Sequence, residues 1–277
     1  MSAGGDRAPA GNEGARAPAG SRTGVRVPLR NRVGPLDDAT AARHRRTRLV
    51  TGIGERGQAR LAAARVLVIG AGGVGSPVLL YLAAAGVGTL GVCDSDVVEL
   101  SNLQRQLLHG EADVGTPKPA SAAAHLGGLN SAVRVEQYPH ATRGFLDKHG
   151  AEWDVVMDCT DSFTAKYLVA DWAAEAGAPL VWGTVVGMGF QLSVFWSRPP
   201  TGLPATSLRT LHPRVPEPGS TPTSARAGVL GTVVGQAGTA MATEAVKLIT
   251  GAGDPLIGRV LVGDAARNRY ETLRFAR

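Results

Sequence analysis

The sequence predicts an α/β fold: a doubly wound, mostly parallel, Rossmann-like sheet with a C-terminal antiparallel extension. Three observations carry this. Short apolar runs such as Arg65-Val-Leu-Val-Ile69 alternate with longer segments of helical character, as in βαβ units. The turn Gly70-Ala-Gly72-Gly73-Val-Gly75 stands between such a run and a helix. Two further runs, Leu256 to Val262 and Tyr270 to Phe275, lie close together at the end and read as a hairpin.

A short helix is predicted from Ala39 to Arg48, followed by the buried strand Arg65 to Ile69. The helix Ser76 to Ala85 carries Pro77 in its first turn, where a missing N–H is tolerated. Strand Thr89 to Cys93, helix Pro117 to Leu129, strand Val133 to Tyr138 and strand Trp153 to Asp158 come next. Helix Phe163 to Ala176 leads to strands Leu180 to Trp182 and Gln191 to Trp196. Pro199 to Ala227 is rich in Pro, Ser, Thr and Arg and reads as a long functional loop, and Val229 to Ile249 reads as an apolar helix.

Charge divides the chain. Residues 1–48 hold ten arginines and four acidic residues, while the rest is balanced, so the net charge of +6 belongs to the N-terminus. Residues 1–36 read as a disordered basic tail, and 37–277 as one folded domain. A neutral folded part argues against a nucleic-acid partner. The uncharged stretch Val66 to Cys93 is long enough to raise a membrane-spanning reading, but its glycines and Pro77 punctuate it as strand, turn, helix and strand. Two cysteines give neither a disulfide framework nor a four-thiolate zinc site. A cytoplasmic location is expected, with no membrane partner.

The glycines Gly70, Gly72, Gly73 and Gly75 fit G-x-G-x-x-G between a strand and a helix. Such a turn lets backbone approach a phosphate, and the helix N-terminus offers it free N–H groups. Asp94, at the end of the next strand, can accept hydrogen bonds from ribose hydroxyls. On these residues alone NAD, FAD, SAM and ATP are all open, as is a glycine turn with no ligand.

The following segment is more specific. It runs Asp94-Ser-Asp96-Val-Val-Glu-Leu-Ser101-Asn102-Leu103-Gln104-Arg105-Gln106-Leu-Leu-His109. With Gly52 to Gln58, Tyr81 to Gly88, Asp113 to Lys118, Asp158-Cys-Thr-Asp161, and Ala227 to Gly235 through Leu248, the chain from about Arg43 onward resembles the MoeB/ThiF/HesA family, bacterial relatives of ubiquitin-activating enzymes. The resemblance implies an ATP-dependent adenylyltransferase that activates the C-terminal carboxylate of a ubiquitin-like sulfur carrier. By that resemblance Gly73, Asp94, Ser101, Asn102, Leu103, Gln104, Arg105, Lys118, Asp161 and Ser162 line the nucleotide site. Arg46 would reach the phosphates from the other subunit of a homodimer.

Elementary chemistry agrees. Charge builds on the phosphate oxygens as a carboxylate attacks the α-phosphorus and pyrophosphate leaves, so cations and Mg²⁺ are needed there. Arg105 can fork onto phosphate oxygens, Lys118 supplies a compact charge, and Asp161 can hold Mg²⁺. Each has a plainer alternative: Arg105 and Lys118 as surface charges, Asp161 as a helix N-cap, Asp96 as a loop-backbone acceptor, and His109, Cys93 and Cys159 as packing residues.

Four departures from the family pattern stand out. Ser207 and Thr210 occupy the place of one CxxC pair, and the chain end Arg-Phe-Ala-Arg277 lacks the other, so no zinc is expected. Ser224 stands where many members carry a cysteine, which argues against a persulfide or thioester step on this chain. Ser162 replaces an asparagine, and Arg43-His-Arg-Arg46-Thr47 keeps the second arginine of an Arg-Tyr-x-Arg-Gln pattern. Three other readings stay open: adenylation of a ribosomal peptide C-terminus, a non-catalytic carrier-binding scaffold, and a nicotinamide-dependent oxidoreductase.

Overall fold

Uncharged, β-branched runs bury themselves at the centre of a sheet, and helices cover the two faces they leave. The computed structural model describes residues 25–29, 33–217, 219–222 and 224–276. In chain order these form α1 (Asp38–Arg43), α2 (Gly54–Ala63), β1 (Arg65–Ile69), α3 (Gly75–Ala84), β2 (Thr89–Cys93), α4 (Lys118–Leu129) and β3 (Arg134–Tyr138). They continue as α5 (Arg143–His149), β4 (Val155–Asp158), α6 (Phe163–Ala176), β5 (Leu180–Val186), β6 (Gly189–Phe195), α7 (Leu208–Leu211), α8 (Ser224–Ala227), α9 (Gly231–Thr250), β7 (Arg259–Asp264) and β8 (Arg269–Arg274).

The strands make one eight-stranded sheet in the order β3-β2-β1-β4-β5-β6-β7-β8. The first five in that order run parallel and the last three join antiparallel. The predicted doubly wound sheet and its antiparallel extension are therefore present. Direction reverses at β1, which pairs with β2 on one side and β4 on the other, and such a switch point opens a crevice at the strands' C-terminal ends.

Side chains along β1 alternate between two cores, as the period of two requires. Val66 and Val68 pack with Leu79, Leu82, Leu126 and α9 residues such as Met241 and Leu248. Leu67 and Ile69 pack with Leu146, Trp153, Tyr167, Trp172 and Trp182 on the other face. Each fully buried leucine stabilises the fold by about 1.5–3 kcal/mol.

Several elements differ from the sequence expectation. The helix predicted from Ala39 to Arg48 stops at Arg43, where the chain turns to bury His44 against Gly86. A 3-10 turn, Thr47–Leu49, follows. α2 was not expected, because two glycines and a single leucine give it little apolar periodicity. β5 extends past Trp182 to Val186 and folds back on β6 through Gly187-Met188, with Val186 opposite Gly189. The expected long loop contains α7 and α8, and its first part is fastened to α6: both Asp171 oxygens accept from Arg209 at 2.7 Å, and the Tyr167 hydroxyl donates to Arg214 O at 2.7 Å.

Residues 1–24 and 30–32 of the expected tail lie outside the described residues. Within that tail Val25–Leu29 corrects the expectation of disorder: Val27 is buried in the core, its N–H bonds Leu248 O at 2.9 Å, and its carbonyl accepts from Arg60. Burial of one apolar residue and two backbone bonds offset the local ordering cost. No helix of the described residues is long and apolar enough to cross a membrane.

Candidate functional site

The crevice at the switch point is a cleft of about 370 Å³. Its floor is the turn from β1 into α3. Gly70 adopts φ +98°, its N–H bonds Cys93 O at 2.8 Å, and a Cβ there would sit 2.6 Å from Cys159 O. A Cβ on Gly75 would overlap the Gly70 carbonyl oxygen. The loop is thus held between the ends of β2 and β4, and Gly70, Gly72, Gly73 and Val74 line the cleft.

Asp94 anchors the loop from the β2 side. Its two carboxylate oxygens accept the N–H groups of Ala71 and Asp96, each at 2.8 Å, leaving further lone pairs toward the cleft. From below, His109 spans two elements: Nε2 donates to Ala71 O at 3.0 Å, so Nδ1 accepts from Ser121 Oγ at 2.8 Å. Burial holds this imidazole below its ordinary pKa, which keeps the neutral tautomer in place. His109, expected to be a packing residue, is also a brace between the glycine loop and α4.

Lys118 begins α4 with its ammonium almost wholly buried and donates to Asp96 at 2.8 Å. Asp96 therefore bonds a cation and not the loop backbone; Asp94 takes the backbone. Arg105 lies beside Gly73, and its Nη1 donates to Ser101 O at 3.2 Å. Asp161 is exposed on the cleft wall, with no described residue bonded to its carboxylate. The helix cap imagined for Asp161 is made instead by Ser162, whose Oγ accepts from Ala165 N at 3.2 Å. This division of labour leaves Asp161 free to meet a cation.

Of the sequence-predicted residues, Gly70, Gly72, Gly73, Asp94, Asp96, Arg105, Lys118, Asp161 and Ser162 line the cleft. Ser101, Asn102, Leu103, Gln104, Gly75 and Arg46 lie off its wall. The reasons are structural. Ser101 Oγ donates to Glu99 and Asn102 Oδ1 accepts Glu99 N–H, closing the turn that presents Arg105. The Gln104 carbonyl abuts Gly231, and Gly75 is needed for close approach. Arg46 is exposed at the start of the 3-10 turn.

Sequence reasoning missed Lys166, Gln106, His140 and the β5 segment Gly183–Val186, all on the cleft wall. Lys166 is 3% exposed, donates to Gly183 O at 2.6 Å and pairs with the buried Asp158 at 3.4 Å. Its signal was a lysine in the first turn of a helix, among apolar neighbours Phe163, Ala165, Tyr167, Leu168 and Val169. Both thiols are inert packing groups: burial, then the Asp94 charge, pushes Cys93 up to about 12, and burial followed by Asp158 raises Cys159 further. Ser207 and Thr210, where one zinc pair was expected to be missing, cap α7: Thr210 Oγ1 accepts Ser207 N–H at 3.1 Å. The side chain of Ser224 lies outside the described ones.

The chain is 46% identical over 248 residues to the probable adenylyltransferase/sulfurtransferase MoeZ of Mycobacterium tuberculosis, covering 89% of this chain and 63% of that protein's length. It is 42% identical over 236 residues to the sulfur carrier protein adenylyltransferase of Thermus thermophilus, covering 85% and 87%. The crystal structure of E. coli MccB with MccA-N7isoASN shares the fold, with a TM-score of 0.72 at 21% identity over 88% of this chain and 74% of that one. Residues 44–277 match the ThiF family, and the chain belongs to it.

Proposed function

We propose that the chain is an ATP-dependent adenylyltransferase that activates the C-terminal carboxylate of a ubiquitin-like sulfur carrier. The observation that carries this reading is one cleft, at the sheet's switch point, in which Arg105, Lys118 and Asp161 converge on a glycine loop. The names of the 42–46% identical relatives from Mycobacterium and Thermus support the same chemistry.

In this reading the phosphates lie along Gly72 and Gly73, and Asp94 accepts from the ribose while still bracing the loop. A carboxylate oxygen of the carrier attacks the α-phosphorus. The bond from that phosphorus to the bridging oxygen breaks, and the electron pair leaves with pyrophosphate. Arg105 and Lys118 face the oxygens where charge accumulates, and pairing with Asp96 keeps the Lys118 ammonium in position. Mg²⁺ fits the donor set, because a free carboxylate, Asp161, beside a triphosphate is how this ion is usually held. When bound it would neutralise charge on the departing pyrophosphate. Neither Cys93 nor Cys159, both buried, is poised to take sulfur, so these two thiols play no part in the proposed adenylation.

Arg46 is off the cleft of its own chain, and Leu49 beside it is 79% exposed, with Leu100 and Leu107 also exposed. These features support a homodimer in which Arg46 serves the partner's phosphates. A peptide C-terminus is the second reading, favoured by the fold shared with MccB.

Pyrophosphate–ATP isotope exchange with Mg²⁺ tests the proposal against Gly-Gly-ending carriers and short peptides. Exchange should require one carrier and fall about 10²–10³-fold in Asp161→Ala, with the fold intact. Exchange driven by a peptide alone would select the second reading. An unchanged rate in the variant would remove Asp161 from the site.

A further inference from the structure

Gln106 carries an amide that the fold does not use. The residue is 4% exposed and lines the cleft, yet its Oε1 has no hydrogen-bond partner among the described residues. The outer end of the same amide faces the glycine loop: Nε2 lies 3.5 Å from where a Cβ on Gly72 would sit. The turn itself does not depend on this side chain. The Gln106 N–H bonds Asn102 O and its carbonyl accepts His109 N–H, both at 3.0 Å, so the backbone is satisfied without the amide.

A buried carbonyl oxygen without a donor destabilises a fold, and an unbranched apolar side chain of the same length would avoid that cost. Gln58 shows the contrast. Its Oε1 is also unpartnered, but its Nε2 donates to Ala85 O at 2.8 Å and ties α2 to the end of α3. Gln58 thus has a structural duty, whereas what distinguishes Gln106 is its place in the cleft. There the neighbouring groups, Arg105, Lys118 and the backbone at Gly72, are arranged for an anion. A donor facing that loop suits an anion; the amide turned end for end would set an oxygen against it.

We propose that Gln106 is a nucleotide-contacting residue, its Nε2 donating a hydrogen bond to a phosphate oxygen that lies along Gly72. This rests on the adenylyltransferase reading above. It adds a neutral donor beside two cations, one that positions the phosphate without adding charge that would have to be neutralised in the empty cleft. The cost in stability is the kind that functional sites carry.

The test is Gln106→Met in the full chain, with thermal unfolding measured with and without Mg-ATP and the ATP dissociation constant measured by calorimetry. Without nucleotide the variant should melt at the wild-type temperature or roughly 2–4 °C above it. Its affinity for ATP should fall about tenfold. Gln106→Glu, which sets a carboxylate against the phosphate, should bind ATP more weakly still. A nucleotide-free variant that melts well below wild type, or fails to fold, would make the amide structural and overturn the proposal. So would unchanged ATP affinity in the methionine variant. If the wild-type chain itself bound no ATP, the adenylyltransferase reading would fail first, and that result is read on the unmutated protein.

Discussion

At the glycine loop the backbone closes on itself, whereas at Gly235 in α9 and along the sheet's far edge it stays open. Gly70 leaves 2.6 Å between an added Cβ and Cys159 O, and Gly75 leaves none before the Gly70 oxygen. In α9, an added Cβ on Gly235 meets nothing within 4 Å. The edge strand β8 has every residue exposed. Glycine is abundant, with 37 in the chain, but the fold requires it at Gly70 and Gly75 and not at Gly235. The glycine loop that floors the cleft is built from closely packed backbone, so it cannot yield without losing its shape.

The sharpest way to break this contrast is Gly75→Ala. Its methyl group cannot be relieved by a rotamer, because the clashing atom belongs to the backbone of Gly70. Chemical denaturation should show a loss of about 4 kcal/mol or more, the range reserved for backbone conflicts and core disruption. A loss below about 1 kcal/mol would show that α3 can slide on the loop and that the closure is soft.

The same contrast explains what could be read from sequence. β1, β2 and α6 match their predicted bounds, because apolar runs ending at glycine or at a capping residue leave little choice. Gly70, Asp94, Arg105, Lys118 and Asp161 were legible because each belongs to a contiguous motif whose spacing fixes its place. Lys166 was not, since its meaning depends on β5 arriving beside it, and Gln106, although next to Arg105 in the same motif, carries no charge to mark it and is placed only by its approach to Gly72. Val27 was illegible for a related reason: in a stretch rich in Arg and Pro, nothing local signals that one valine finds the groove beside Leu248.

A smaller effect separates the cap of α6 from the metal carboxylate proposed next to it. Ser162→Ala should cost about 1 kcal/mol in denaturant midpoint, the usual value of a lost N-cap. Ser162→Asn should stay within a few tenths, since asparagine caps as well. A full loss in both variants would show that Ser162 does more than accept from Ala165 N.

The smallest effect has the opposite sign. Gly235 lies inside α9 with open space where its Cβ would go, so Gly235→Ala removes backbone freedom from the unfolded chain and meets no steric cost in the folded one. Thermal or denaturant unfolding should show a gain of about 0.5–1 kcal/mol. Because the neighbouring Gln236 side chain accepts from the Tyr270 hydroxyl of β8 at 2.8 Å, the gain also reports whether that surface is free in solution. If a second copy or a carrier covers it, the added methyl group would meet that partner, and the gain would shrink as protein or carrier concentration rises. A concentration-independent gain would place the open helix face in solvent, in contrast to the closed loop at Gly75.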